Sequence, residues 1–263
     1  MVVPAFGEER RIASTVARLR SALEGLAAAG GVGLSVVDDG STDSTASRSL
    51  GAGADRVIRL PVNRGKGAAV RAGVLAAAGS TIVFTDADLS YPPSQVVRVL
   101  GEVEQGWDVV VGSRRHDDTQ TSARAGRLRE MSGRVFNLVT RLVLVPSFSD
   151  TQCGLKGFQR DAAQALFTRG RVDGFAFDVE LLWLAGHMCL AVKEIPVELD
   201  SAEGSTVHLS MDALRMVRDL VRVRWWARAG TYGPADSGGA GASRPGSARL
   251  EQPSGAASRA SDR

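Results

Sequence analysis

Asp86 and Asp88 stand one residue apart, with Ala87 between them, directly after the apolar run Thr81-Ile82-Val83-Phe84-Thr85. Two carboxylates at this spacing, at the carboxyl end of a buried strand, reach one cation together. A hard divalent ion takes carboxylate oxygens and keeps places open for substrate phosphates. In open α/β sheets, ligands bind outside the carboxyl ends of the strands. The pair therefore points to a metal site for a phosphate-bearing substrate. The same spacing also fits a solvated surface loop, so its meaning depends on the elements around it.

Those elements alternate. Val2-Val3-Pro4 ends a first strand, and Glu8–Ala29 has helical periodicity, with Ile12, Val16, Leu19, Leu23 and Leu26 on one face. Leu34–Val37 is a second strand, ending at the loop Asp38-Asp39-Gly40-Ser41. Thr42 and Asp43 cap a helix running to about Leu50. Arg56–Leu60 is a third strand, and Asn63-Arg64-Gly65-Lys66-Gly67 turns into a helix over Ala68–Ala78. Thr81–Thr85 is the fourth strand. Pro92-Pro93 opens another helix, and Val109–Val111 is a fifth strand ending at Gly112-Ser113-Arg114. This alternation predicts βαβ units, a mostly parallel sheet and polar loops gathered on one edge.

The second half is less regular. Arg124–Val145 reads as a long helix, Asp150–Phe158 as a loop and short strand, Phe175–Ala185 as a helix with a polar start, and Val192–Val197 as a strand. Met211–Ala229 is an amphipathic basic helix. From Thr231 the chain is Gly, Ser, Ala, Pro and Arg without periodicity, which predicts a domain over 1–230 and a disordered tail over 231–263.

Of the 263 residues, 44% are hydrophobic and 23% charged, which suits one globular α/β domain. Net charge is +3, from 32 basic and 29 acidic residues, too balanced for a nucleic-acid binder. Cys153 and Cys189 have no metal-ligand spacing and suggest a reducing compartment. No secretory leader is visible, and no apolar run approaches the roughly 18 residues of a membrane span. The expectation is a soluble or peripheral protein.

Several segments together resemble the inverting family 2 glycosyltransferases of the GT-A fold: Val2–Glu9, Val36–Asp43, Asn63–Gly67 and Asp86–Ser90. Asp150-Thr151-Gln152-Cys153-Gly154-Leu155-Lys156-Gly157-Phe158, Phe175–Leu182 and Glu194–Val197 followed by Gly204-Ser205 are similar to the dolichyl-phosphate β-glucosyltransferase branch, whose near relatives are the mannose synthases. The resemblance covers about residues 1 to 228. It implies a nucleotide-sugar donor held by Pro4, Ala5, Glu8, Val37 and Asp39, with Lys66 near phosphate, and Mg2+ or Mn2+ on Asp86 and Asp88. It implies that Arg114 and Arg129 face the acceptor phosphate, that Gln152 and Lys156 line the same cleft, and that Asp178 and Glu180 orient the sugar or supply a base. Structural alternatives stand beside these: a capped turn at Asp38–Ser41, helix capping at Asp178 and Glu180, and a solvated Lys66. The GxGxxG fingerprint is incomplete at Asn63–Gly67, since Val70 fills its last position.

The activity so implied is transfer of a hexose, glucose from UDP-glucose first, to a polyprenyl or dolichyl phosphate at the inner, cytoplasmic face of a membrane. The basic helix with Trp225 and Trp226 lies on that membrane or packs into the core. GDP-mannose as donor, a sugar or protein hydroxyl as acceptor, and a non-catalytic nucleotide-sugar binder are the alternatives. Phe6-Gly7 stands where relatives often have Tyr-Asn, and Thr206 where they have Lys.

Overall fold

The computed structural model describes residues 1–29, 31–115, 148–199 and 209–233. A sheet of seven strands runs through it: β1 (Val2–Ala5), β2 (Ser35–Asp38), β3 (Arg56–Arg59), β4 (Thr81–Phe84), β5 (Val109–Ser113), β6 (Lys156–Gln159) and β7 (Val192–Pro196), in the order β3-β2-β1-β4-β6-β5-β7. The helices are α1 (Ile12–Leu23), α2 (Thr45–Gly51), α3 (Lys66–Ala76), α4 (Pro93–Glu104), α5 (Arg160–Arg169), α6 (Phe177–His187) and α7 (Leu209–Arg228).

The strands read as unbroken apolar runs because both faces of the sheet are covered, and the period of two divides each run between them. Val3, Val36, Val83 and Val110 face one layer with Ile12, Val16 and Leu19 of α1 and Val96, Val99 and Val103 of α4. Val2, Val37, Ile82, Phe84, Val109 and Val111 face the other, with Val70 and Val74 of α3, Leu166 and Phe167 of α5, and the apolar body of α6.

All neighbouring strands run parallel except β6, which is antiparallel to β4 and β5. Lys156, its first residue, is therefore level with Phe84 at the end of β4 and with Val111. One reversed strand delivers residues far along the chain to the edge where β1, β2 and β4 end.

Several boundaries differ from the sequence reading. Helix α1 begins at Ile12 rather than Glu8, because the Glu8 carbonyl accepts from the Arg11 and Ile12 amides and closes the first turn. It gives way at Glu24 to a 3-10 turn, where Gly25 interrupts the helical run. Helix α5, over a stretch left unassigned by periodicity, buries Ala162, Ala163, Leu166 and Phe167, a stripe half made of alanine. The chain also packs on past the boundary expected at residue 230: Tyr232 is only 5% exposed. The helix expected over 124–145 and the tail beyond 233 lie outside the described residues.

Candidate active site at the carboxyl edge of the sheet

The Asp86–Ser90 turn is fixed by its backbone. The Leu89 amide donates to the Asp86 carbonyl at 3.2 Å, the Ser90 amide donates to Asp88 Oδ1 at 3.0 Å, and Thr15 Oγ1 donates to the Ala87 carbonyl at 2.6 Å. Leu89 adopts φ +48° while its side chain is buried. A left-handed leucine costs on the order of 1–3 kcal/mol and persists only where its surroundings over-determine it. Asp86 is left partly open and Asp88 exposed.

Opposite this turn, Gly65 at φ +108° starts α3 and sets Lys66, whose Nζ lies 2.6 Å from Asp86 Oδ1. Burial pushes the Lys66 ammonium down, but Asp86, Asp178 and Asp88 outweigh it and hold its pKa above the usual lysine value. Glu8 sits near the same charges. Burial raises its carboxyl, Arg11 opposes this from 2.7 Å, and Asp88, Asp43 and Asp86 push it higher again.

Asp39 accepts from the Arg64 amide at 2.9 Å and the Gly65 amide at 2.7 Å, one on each oxygen. The carboxylate expected to hold a nucleoside is thus also the clamp on the loop that carries Lys66. Burial raises its pKa, against those two amides. Asp38 closes its own turn through the Ser41 amide at 2.9 Å, and Gly40 at φ +77° lies so near Val62 that a Cβ would meet that backbone at 2.5 Å. Pro4 and Ala5 are buried at the end of β1. Val37 is a correction: it is fully buried, and a Cβ on Gly73 of α3 would come within 2.7 Å of its Cγ2, so it packs into the core and not against a base.

The second-half motif reaches this edge through β6. Gly154 lies directly against the first carboxylate of the Asp pair: a Cβ there would sit 2.0 Å from Asp86 Oδ2. Asp150 takes a fork from Arg114, with Nε at 2.6 Å and Nη2 at 2.9 Å, and accepts from the Arg114 and Gln152 amides. Burial pushes the Asp150 carboxyl up, yet Arg114 and these amides bring it down to about 2. The Asp150 amide in turn donates to Glu194 Oε1 at 2.9 Å. Arg114 therefore stands at the edge as expected, already oriented by a carboxylate. Burial raises the Cys153 thiol to about 11, which leaves it protonated and a poor nucleophile.

Lys156 and Asp178 correct the expectation more strongly. Lys156 is 0% exposed, and its Nζ donates to Asp178 Oδ1 at 2.5 Å and to the Cys153 carbonyl at 2.6 Å. Neither lines a cleft, and Asp178 is not free to act as a base. Burial raises its carboxyl pKa, opposed by Lys156 and Lys66. Glu180 is likewise internal. It accepts from the Arg171 and Val172 amides and from the Tyr232 hydroxyl at 2.6 Å, and pins the 170–174 loop. That loop meets the Lys66 loop, since the Ala68 amide donates to the Asp173 carbonyl at 3.1 Å.

Arg129 and Thr206 lie outside the described residues. Gln152 contributes its amide to the Asp150 turn. Sequence reasoning missed Asp150 as the partner of Arg114, Gly154 as the seat of Asp86, and Tyr232. Only Gly154 had a signal, as a glycine inside a polar motif with no helix to end.

Among the described residues no group of three or more His, Cys, Asp or Glu side chains forms a ready metal cage. A two-carboxylate site fits a hard divalent ion that draws its remaining oxygens from phosphates and water. The donor chemistry of Asp86 and Asp88, with a cation already held at Asp86 by the protein itself, fits that arrangement.

Residues 1–167 match the family model described as glycosyl transferase family 2. Over 244 residues the chain is 37% identical to a dolichyl-phosphate beta-glucosyltransferase of Drosophila melanogaster, covering 87% of this chain and 74% of the fly protein. A Homo sapiens protein of the same name is 33% identical over 239 residues, covering 85% and 74%. Among solved structures, glucosyl-3-phosphoglycerate synthase from Mycobacterium tuberculosis in complex with Mg2+ and uridine-diphosphate superposes with a TM-score of 0.65 at 25% identity, covering 90% of this chain and 80% of that one.

Proposed function

The chain belongs to glycosyl transferase family 2 and is a glycosyltransferase of the GT-A fold, and from that premise we propose that it moves glucose from UDP-glucose to a polyprenyl or dolichyl phosphate with inversion at the anomeric carbon. The observation that carries this reading is the assembly of Asp86, Asp88, Lys66 and the Asp150-oriented Arg114 on one sheet edge.

In this reading Asp86 and Asp88 hold Mg2+ or Mn2+, which neutralises charge on the departing diphosphate. Lys66 adds a second cation on the same side, and the Asp39-clamped loop keeps it there. Arg114 offers a guanidinium to an anionic oxygen. A lipid phosphate oxygen attacks the anomeric carbon, a new C–O bond forms, and the bond to the diphosphate breaks with its electron pair leaving on UDP. A phosphate acceptor is already anionic and needs alignment more than deprotonation. The commitment of Asp178 and Glu180 to internal partners favours it over a hydroxyl acceptor, which needs a base.

We also place the protein peripherally on the cytoplasmic face of a membrane. No helix among the described residues is long and apolar enough to cross one. Helix α7 buries Leu220 and Val223 but presents Val217, Val221 and Trp225, which are 45%, 62% and 64% exposed and fall at i, i+4 and i+8. Arginines 218, 222 and 224 are also exposed on this helix. Such a face suits an anionic interface.

Incubation with Mn2+, labelled UDP-glucose and undecaprenyl phosphate, followed by organic extraction, tests the whole reading. Label in the lipid phase is expected, and Asp88→Ala should lower it by about 100-fold or more. Label transferred only from GDP-mannose would replace the donor, label on a water-soluble acceptor would replace the lipid, and UDP binding without transfer to any acceptor would overturn the catalytic reading.

A further inference from the structure

Lys66 Nζ lies 2.6 Å from Asp86 Oδ1, and the other oxygen of that carboxylate, Oδ2, is turned towards Gly154. One oxygen of Asp86 thus meets backbone, and the other meets a cation supplied by the chain. We infer that Lys66 is a built-in competitor of the divalent ion: the two cations exchange at Asp86 Oδ1, and the donor diphosphate drives the exchange by drawing the ammonium onto itself. The inference rests on the reading of Asp86 and Asp88 as the metal pair.

Partial burial gives the contact its weight. The Lys66 and Asp86 side chains are 17% and 29% exposed, so solvent and salt screen their attraction less than that of a surface pair. Asp178 and Asp88 add to the field that holds the ammonium in place. A divalent ion on the same oxygen would stand almost in contact with that ammonium, and like charges so close repel strongly in a partly desolvated site. Either the ion binds weakly or Lys66 leaves.

The loop shows which part can move. Asp39 clamps the Arg64 and Gly65 amides on one side of Lys66. A Cβ on Gly65 would meet the Asp173 carbonyl at 2.6 Å, one on Gly67 would meet the Val172 carbonyl at 2.6 Å, and the Ala68 amide donates to Asp173. The backbone on both sides is therefore wedged, and the flexible four-carbon stem does the moving. Once it has swung, Asp86 has the divalent ion as counter-charge and the diphosphate has the ammonium, so neither anion is left uncompensated. Metal and donor then favour one another's binding by the same factor. A purely structural Lys66, tethering the start of α3, predicts the opposite sign: its removal would loosen the site and weaken metal binding.

Titration of the full chain with Mn2+ in the absence of nucleotide, read by the electron paramagnetic resonance of the free aquo ion, tests the exchange. Lys66→Met should tighten Mn2+ binding by about tenfold or more. Saturating UDP should then tighten it further by a smaller factor than in the unchanged chain. If Lys66→Met fails to fold, Lys66→Gln removes the charge with a polar side chain and should tighten binding in the same way. Asp88→Ala should weaken Mn2+ binding with or without Lys66. Affinity in Lys66→Met that is unchanged or weaker, while Asp88→Ala still lowers it, overturns the exchange and leaves the metal reading standing. Mn2+ binding that Asp88→Ala does not alter, or that is absent with and without UDP, overturns both together.

Discussion

The turn at Asp86–Ser90 and the stretch from Asp150 to Glu180 both carry acidic and basic residues in compact motifs, and they use them in opposite ways. In the first, Asp88 is exposed and Asp86 is half-open beside Lys66 at the sheet edge, and the turn itself is held through the Thr15 hydroxyl and the Leu89 and Ser90 amides. In the second, Asp150, Lys156, Asp178 and Glu180 are buried and hold one another or the backbone. The contrast teaches that charged residues in a motif can serve the site by building its walls. A buried ion pair contributes little net stability when intact, yet removing one partner is costly.

Breaking that buried set should give the largest effect. Lys156→Met leaves Asp178 buried without its counter-ion and should destabilise the fold by about 3–5 kcal/mol in urea titration. Lys156→Met/Asp178→Leu should recover most of the loss together with donor binding. If the double variant folds but no longer binds UDP, the pair touches the donor after all, and the contrast collapses.

Gly154→Ala strikes where the two regions meet. Its Cβ has no room beside Asp86 Oδ2, so the carboxylate must move. Transfer should fall by about 100-fold, with the chain still cooperatively folded by thermal melting. Near-normal turnover would show that Asp86 is free to relocate.

The Asp150–Arg114 fork sharpens the comparison through pH. The folded Asp150 carboxyl is depressed to about 2, against roughly 3.9 in an unfolded chain. Its contribution, about 2 kcal/mol, is therefore fully present above pH ~4 and disappears as pH falls towards 2. Unfolding free energies across that window should show this slope, and Arg114→Met should flatten it.

The smallest effect belongs to Tyr232→Phe, which deletes one donor to Glu180 while two backbone amides remain. A loss of about 1 kcal/mol is expected, or roughly 2–4 °C in melting temperature. No change would mean that Glu180 is satisfied without the segment after α7.

The sheet and its carboxyl edge were legible because strand, glycine turn and polar loop succeed one another locally, so Asp86, Asp88 and Asp39 could be assigned to one edge from order alone, while Lys66 joined them only through the family resemblance. The fate of Lys156, Asp178 and Glu180 was not. Their burial depends on β6 running antiparallel between β4 and β5, a long-range pairing that no local pattern encodes. Helix α5 escaped notice because alanines at two of its four buried positions give a weak periodic signal. Helix α7 posed a choice between core and membrane; its structure has both a buried and an exposed apolar face, which a single stripe of hydrophobic residues does not separate.

The reversed strand also dictates when the molecule becomes whole during synthesis. Until residues 156–159 leave the ribosome, β4 and β5 each lack their common neighbour and display unpaired backbone, a template for wrong partners. The first half of the chain, however complete it looks by itself, is thus a poor candidate for excision as an autonomous fragment: its middle is closed by a strand that begins 70 residues after Asp86.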